Sequence, residues 1–210
     1  METTPRSCID CGTAGCNRGK GPFPDFCLTE NLDPEELRAA LALYEEEENH
    51  TLLLAAAVTE CEGYHIPRIQ EIGRFAQRIG CRRVGIATCV GLINEARLIA
   101  RHLRLLGLEV YGVGCKVGMV PKHELGLPLE CEECGEYSCN PILQAKLLNR
   151  IGTQLNVVVG LCVGHDSLFY KYSKALVTTL VAKDRVTGNN PVAAIYCADG
   201  YLKKRLELEK

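Results

Sequence analysis

The sequence predicts an α/β protein, a three-layer, mostly parallel, Rossmann-like sheet preceded by a cysteine-rich segment and helices. Three observations predict it. The short apolar runs Val84–Thr88 and Glu109–Gly114 flank residues 92–106, where Leu92, Ala96, Ile99, Leu103 and Leu106 recur at helical spacing, which is a β-α-β pattern. Val157–Leu161 is a continuous apolar run of the kind buried on both faces of a parallel sheet. Between them, Asn140-Pro141 supplies a cap and an N1 proline for a connecting helix through Ile151.

The remaining elements follow in order. Residues 1–32 are expected to be irregular, because Pro5, Gly12, Gly15, Gly19, Gly21, Pro22 and Pro24 interrupt every period. At Asp33-Pro34-Glu35-Glu36 an N-cap, an N1 proline and an acidic N3 residue start a helix carrying Leu37, Ala40, Leu41 and Tyr44. Glu45–Glu48 reads as a solvated face, and Leu52–Val58 as a buried helical segment. Pro67 opens a helix with Ile69, Ile72, Ala76 and Ile79 on one face, ended by Gly80. Late in the chain Asp166 is expected to cap a helix carrying Leu168, Phe169, Tyr172 and Leu176. Leu180–Ala182 and Val192–Tyr196 are expected strands around a Gly188-Asn189-Asn190-Pro191 turn. The organisation is then residues 1–32 as a cysteine-rich metal-binding segment, 33–80 as helices packed on the core, 81–202 as the α/β core with an inserted cysteine loop, and 203–210 as a charged tail.

Composition narrows the function. Lys and Arg total 24 against 26 Asp and Glu, a net charge of −2, so the chain lacks the positive field of a nucleic-acid binder. Its longest purely apolar stretch, Leu52–Val58, is far short of the ~20 residues that cross a bilayer, and no membrane association is expected. The first thirty residues hold four cysteines and no apolar signal core, so a cytoplasmic protein is expected. In that reducing compartment, 13 cysteines point to metal ligation or redox chemistry, not to a disulfide framework.

The cysteines are patterned. Cys8, Cys11 and Cys16 form a Cys-x2-Cys-x4-Cys motif, and Cys131, Cys134 and Cys139 repeat it. A two-residue gap lets both thiolates turn to one centre, with Gly12 and Gly135 positioned to adopt positive φ and free backbone N–H groups for sulfur. Cys27 supplies a fourth ligand near the first copy. Cys89, Cys115, Cys162 and Cys197 each fall at the carboxyl end of an expected strand, where the ligand crevice of an open α/β sheet lies. Of these, Cys89, Cys115 and Cys162 sit in glycine-flanked turns and are the expected cofactor-binding residues, with Cys162 the leading partner for the second motif. Cys61 and Cys81 have no ligand spacing and read as structural. His165-Asp166 reads equally as a ligand or acid–base pair and as a plain helix cap. Lys116, Lys122, Lys183 and Arg185 lie in loops where a small anionic ligand is one reading and ordinary surface the other. No Walker, G-x-G-x-x-G or G-x-S-x-G motif occurs.

The segments Ser7-Cys8-Ile9-Asp10-Cys11, Cys139-Asn140-Pro141, Gly160-Leu161-Cys162-Val163-Gly164-His165-Asp166-Ser167-Leu168-Phe169, Lys183-Asp184-Arg185-Val186 and Asn190-Pro191-Val192-Ala193-Ala194 carry a resemblance. Over nearly its whole length the chain resembles an uncharacterised cysteine-rich family of anaerobic bacteria and archaea, labelled metal-binding protein and known only as a domain of unknown function. The resemblance implies metal binding by Cys8, Cys11, Cys16, Cys27, Cys131, Cys134 and Cys139 in an anaerobe's cytoplasm, and no activity. The leading expectation is an iron–sulfur redox protein, an electron carrier or small reductase with 4Fe-4S clusters at two cysteine sites and a redox partner protein. The alternatives are a zinc-stabilised small-molecule binding or regulatory module and a cysteine-based thiol or persulfide transfer enzyme.

Overall fold

The computed structural model describes residues 5–206. It comprises two compact units, Met1–Leu54 and Ala55–Lys210, and the division falls inside one helix, α3.

Between residues 5 and 33 the first unit has little regular structure. A 3-10 turn covers Cys8–Asp10, a single helical turn, α1, covers Gly15–Arg18, and the expected helix α2 covers Pro34–Leu43 with the Asp33 carboxylate accepting from the Glu35 amide. Gly15 is required by close approach, since a Cβ there would stand 2.8 Å from the Phe23 ring. Helix α3 covers Glu47–Gly63. Its apolar run was expected to be buried, yet Leu53, Leu54 and Val58 are exposed and only Ala55 and Thr59 are buried. The apolar residues of α3 are spread round the helix instead of gathered into a stripe, so no single face can cover them all.

The second unit is built on four parallel strands: β1 (Arg83–Thr88), β2 (Glu109–Gly114), β3 (Leu155–Val159) and β4 (Leu176–Val181), in the order β2-β1-β3-β4. Alternating side chains send each central strand's residues to both faces. On one face Val84, Ile86, Leu155, Val157 and Val159 pack with Ile72 and Ala76 of α4 (Arg68–Arg78) and with Ala96, Ile99 and Leu103 of α5 (Ile93–Leu105). On the other, Ala87, Val113 and Val158 pack with Ala145 and Leu148 of α6 (Pro141–Ile151) and Phe169 of α7 (His165–Tyr172). The architecture is the expected three-layer α/β sandwich.

Several expectations at the carboxyl end change. Leu176 belongs to β4 and not to the preceding helix, which stops at Tyr172. Residues 191–196 are a helix, α8 (Pro191–Tyr196), and not a strand, because Pro191 occupies the first helical turn, as Pro141 does in α6. Asp166 is not the N-cap of α7, which is Gly164, but sits inside the first turn. Residues 203–206 of the expected tail form turns, and residues 207–210 lie outside the described residues. Among the described residues no helix is long and apolar enough to cross a membrane.

Two polar residues, Thr88 at the end of β1 and Asn156, break the apolar interior of the sheet. Asn156 of β3 is fully buried, accepting from Thr153 Oγ1 at 2.8 Å and donating to Ser173 Oγ at 2.9 Å. It pairs across the ladder with Gly85, where an added Cβ would stand 2.1 Å from Asn156 Oδ1 and 2.9 Å from a Leu148 methyl. Gly85→Ala should therefore destabilise the second unit by about 1–3 kcal/mol, the usual cost of overpacking. The check is the midpoint of denaturant unfolding, with Gly112→Ala as control, since a Cβ there meets only the Ile86 carbonyl at 3.9 Å.

Candidate functional site

In the first unit the sequence pattern becomes a cavity. Cys8, Cys11, Cys16 and Cys27 all line one pocket of about 120 Å³, closed by Phe23 and Phe26. The turns that bring them there use local bonds. The Cys11 amide reaches the Cys8 carbonyl at 3.2 Å, and the Cys27 amide reaches the Pro24 carbonyl at 2.8 Å. The Thr13 hydroxyl 3.5 Å from its sulfur, followed by the Thr13 and Ala14 backbone, holds the Cys11 thiol below its ordinary range. Positive φ falls on Ala14 (47°) and not on Gly12, whereas Gly135 of the second motif does adopt it (103°).

In the second unit, parallel strands send every exit loop to one edge of the sheet. Cys89 follows β1, Cys115 and Lys116 follow β2, Cys162 and His165 follow β3, and Lys183 and Arg185 follow β4. The order β2-β1-β3-β4 puts the switch of winding direction between β1 and β3, where the exits diverge and leave a crevice. Backbone bonds fix the rim. The Cys89 amide donates to Val159 O at 3.0 Å, Gly160 to Val181 O at 2.7 Å, and Asn140 to Cys115 O at 2.7 Å. At Gly160 φ is +66° and a Cβ would meet Leu92 at 2.2 Å, so only glycine makes this turn.

Gln144 of α6 clamps the ends of β1 and β2. Fully buried, its amide donates to Thr88 O at 3.2 Å and to Val113 O at 2.7 Å, while its own oxygen has no partner. Sequence reasoning missed it. The signal was a polar side chain within the apolar face that α6 turns to the sheet.

Cys89 and Cys139 pack against the cluster that holds the buried Cys115. Donation from the Cys115 thiol, helped by the charge of Lys116, lowers the Cys139 thiol to about 7. The same bond, followed by burial, pushes the Cys115 thiol up, while the Val90 amide donates to its sulfur at 3.4 Å and Cys89 opposes the rise. Cys162 lies close enough to act on the charge of Cys139, and its sulfur accepts from Arg185 Nη2 at 3.2 Å. Arg185 is set by its own loop, in which the Asp184 carboxylate accepts from the amides of Val186 (2.8 Å) and Thr187 (2.9 Å).

The other expected residues are placed as follows. Cys131 and Cys134 are exposed on a 3-10 turn. The Lys122 ammonium donates to the Cys131 carbonyl, and Cys134 lies within electrostatic reach of Arg185. Lys116 donates to the Tyr137 carbonyl. Cys197 caps the end of α8 and is not at a strand end. Cys61 is exposed on α3. Cys81 is buried, its thiol donating to Arg83 O and raised by burial. Asp166 accepts from the amides of Gly164 (3.0 Å) and Ser167 (2.8 Å), which accounts for it without chemistry. Burial, then Lys116, holds the half-buried His165 below its ordinary range, and its Nδ1 has no partner. Among the described residues no three of His, Cys, Asp and Glu are arranged to hold one metal ion.

Residues 27–180 match the model of a family described as a protein of unknown function, DUF1847. An uncharacterised protein of Methanocaldococcus jannaschii is 41% identical over 201 residues, covering 95% of this chain and 98% of that relative.

The lowered Cys139 thiol has a measurable consequence. Only the thiolate alkylates, so with its folded pKa lowered, Cys139 should react with iodoacetamide at a rate that rises with pH through a midpoint near 7. Cys115→Ala removes the donor and should move that midpoint upward. Peptide-resolved mass spectrometry reads both, with the buried Cys81 expected to lag throughout.

Proposed function

The chain belongs to the DUF1847 family, and from that premise we propose that it is an iron–sulfur redox protein, an electron carrier or small reductase. In this reading Cys8, Cys11, Cys16 and Cys27 ligate a cluster, and the strand-end thiols of the second unit are the reacting site. One observation carries it: four cysteines of the first unit line a single cavity. Its size bears on the metal. A single zinc bound at ~2.3 Å per sulfur needs four thiolates within about 4 Å of one another. The cavity, about 120 Å³, is about ten times the ~10–15 Å³ that one water needs, room for more than a single atom among the four thiols. A four-iron, four-sulfide core fits a wider thiolate ring. The backbone donors at Cys11 suit it, since hydrogen bonds to sulfur are one of the levers that set a cluster's potential.

A second reading, one structural zinc, draws on the same Cys-x2-Cys turn and requires the ring to contract. Anaerobic reconstitution of the full chain with iron and sulfide separates the two. The proposal expects about four irons and four sulfides at this site and a broad visible absorption. Cys16→Ser and Cys27→Ser should lose both, and Cys61→Ser neither. A colourless protein that instead retains one zinc per site in competition with iron would overturn the iron reading.

Either metal should also hold the segment together, because few apolar side chains order it. Ile9 is almost fully exposed and residues 5–32 bury only Gly15. Stripping the metal should open residues 1–32 to limited proteolysis before the second unit is cut, as fragment masses will show.

A further inference from the structure

We infer that Cys115 and Cys139 are a redox dithiol that reduces a small anionic disulfide, with Arg185 as the residue that selects it. The inference rests on reading the strand-end thiols as the reacting site, and not on the metal bound by the first unit.

The pairing comes from geometry. Cys139 packs in the same cluster as the buried Cys115, and the Asn140 amide bonds the Cys115 carbonyl at 2.7 Å, so the two backbones are tied together. Disulfides form between cysteines whose backbones are held close in this way. The two thiols differ in access. Cys115 is 2% exposed, whereas Cys139 is half-buried, so an external sulfur reaches Cys139 first and Cys115 is positioned to resolve.

Selection comes from charge. Arg185 is exposed, has no carboxylate partner among the described residues, and bonds only the Cys162 sulfur. Lys116 spends its hydrogen bond on a neutral carbonyl, with no carboxylate partner among the described residues. Asp166, which accepts from the Gly164 and Ser167 amides, is the one carboxylate that acts on His165. Lys116 and Arg185 thus place two cations beside the thiols, which favours an anionic partner.

The step balances without a further reagent. The Cys139 thiolate attacks one sulfur of the substrate disulfide, whose S–S bond breaks and whose other half leaves as a thiolate. Cys115, giving up its proton to that thiolate, then attacks the Cys139 sulfur and releases the second half as a thiolate, which takes its proton from solvent. A Cys115–Cys139 disulfide forms, two electrons pass from protein to substrate, and two thiols are released.

The test uses the full chain, reduced anaerobically with a phosphine that is then removed. Stopped reactions with glutathione disulfide, which is anionic, and with neutral hydroxyethyl disulfide are mapped by peptide mass spectrometry. The inference expects a Cys115–Cys139 disulfide with about two thiols released per disulfide formed. It expects Cys115→Ala to stop at a mixed disulfide on Cys139. If Cys115→Ala does not fold, Cys139→Ser takes its place and should leave Cys115 unoxidised. In Arg185→Gln the ratio of the rate with glutathione disulfide to that with hydroxyethyl disulfide should fall at least about tenfold. Oxidation spread over other thiols, an unchanged ratio in Arg185→Gln, or a Cys139 that stays unreactive until a chelator removes a metal would each overturn it. Iron and visible absorption at the first unit are read separately, so failure here and failure of the cluster reading are distinguishable.

Discussion

Parallel pairing of β1, β2, β3 and β4 is the constraint on which the candidate site depends. A parallel ladder orients every strand alike, so Cys89, Cys115, Cys162 and Arg185, each shortly past the end of a different strand, arrive at one edge of the sheet. Antiparallel pairing of any one strand would carry its residue to the opposite edge. The arrangement is also braced from within, because Gln144 binds carbonyls at the ends of two strands and joins the exits that carry Cys89 and Cys115. A buried amide with an unanswered oxygen is a costly brace, and its place directly beneath the thiol loops is where such a cost is tolerable.

The two units solve different problems with the same residue. In the second, thiols are added to a sheet that already has two apolar faces, and their surroundings set their chemistry. Cys81, buried against a carbonyl, is pushed away from ionisation, while Cys139, facing a thiol donor and Lys116, is drawn toward it. In the first, cysteine stands where a core would be. The chain before residue 34 is too short and too glycine-rich to bury much hydrocarbon, and small units of that kind commonly rely on a metal.

Much of this was legible in the sequence where a local signal and a tertiary role coincide. Asn140-Pro141 and Asp33-Pro34 mark helix starts that the structure has, and the unbroken apolar run at Val157 marks a strand covered on both faces. Legibility ended where two local signals competed. Asn190-Pro191 announces a helix as Asn140-Pro141 does, but the Val, Ile and Tyr that follow favour strands, and helix won because the proline had already set the first turn. Leu176 extends the helical spacing of Leu168 and Tyr172, and its place in β4 is imposed by pairing with Leu155. The pairing of Cys115 with Cys139 could not be read at all. It requires the intervening loop to fold back so that Asn140 meets the Cys115 carbonyl, and spacing carries no trace of that contact.

The loop of Arg185 has one more consequence. The Asp184 carboxylate caps the next two free amides, and the Asn189 amide closes back on the Asp184 carbonyl at 2.7 Å, so the loop is shaped by its own residues. A guanidinium carried on such a self-closing turn has its backbone already ordered, so that part of the entropy a binding loop ordinarily loses has been spent in folding. For the anionic disulfide proposed above, the turn would then matter to affinity as well as the charge. A sequence change at Asp184 or Asn189, neither of which bonds a thiol, would loosen the turn that carries Arg185.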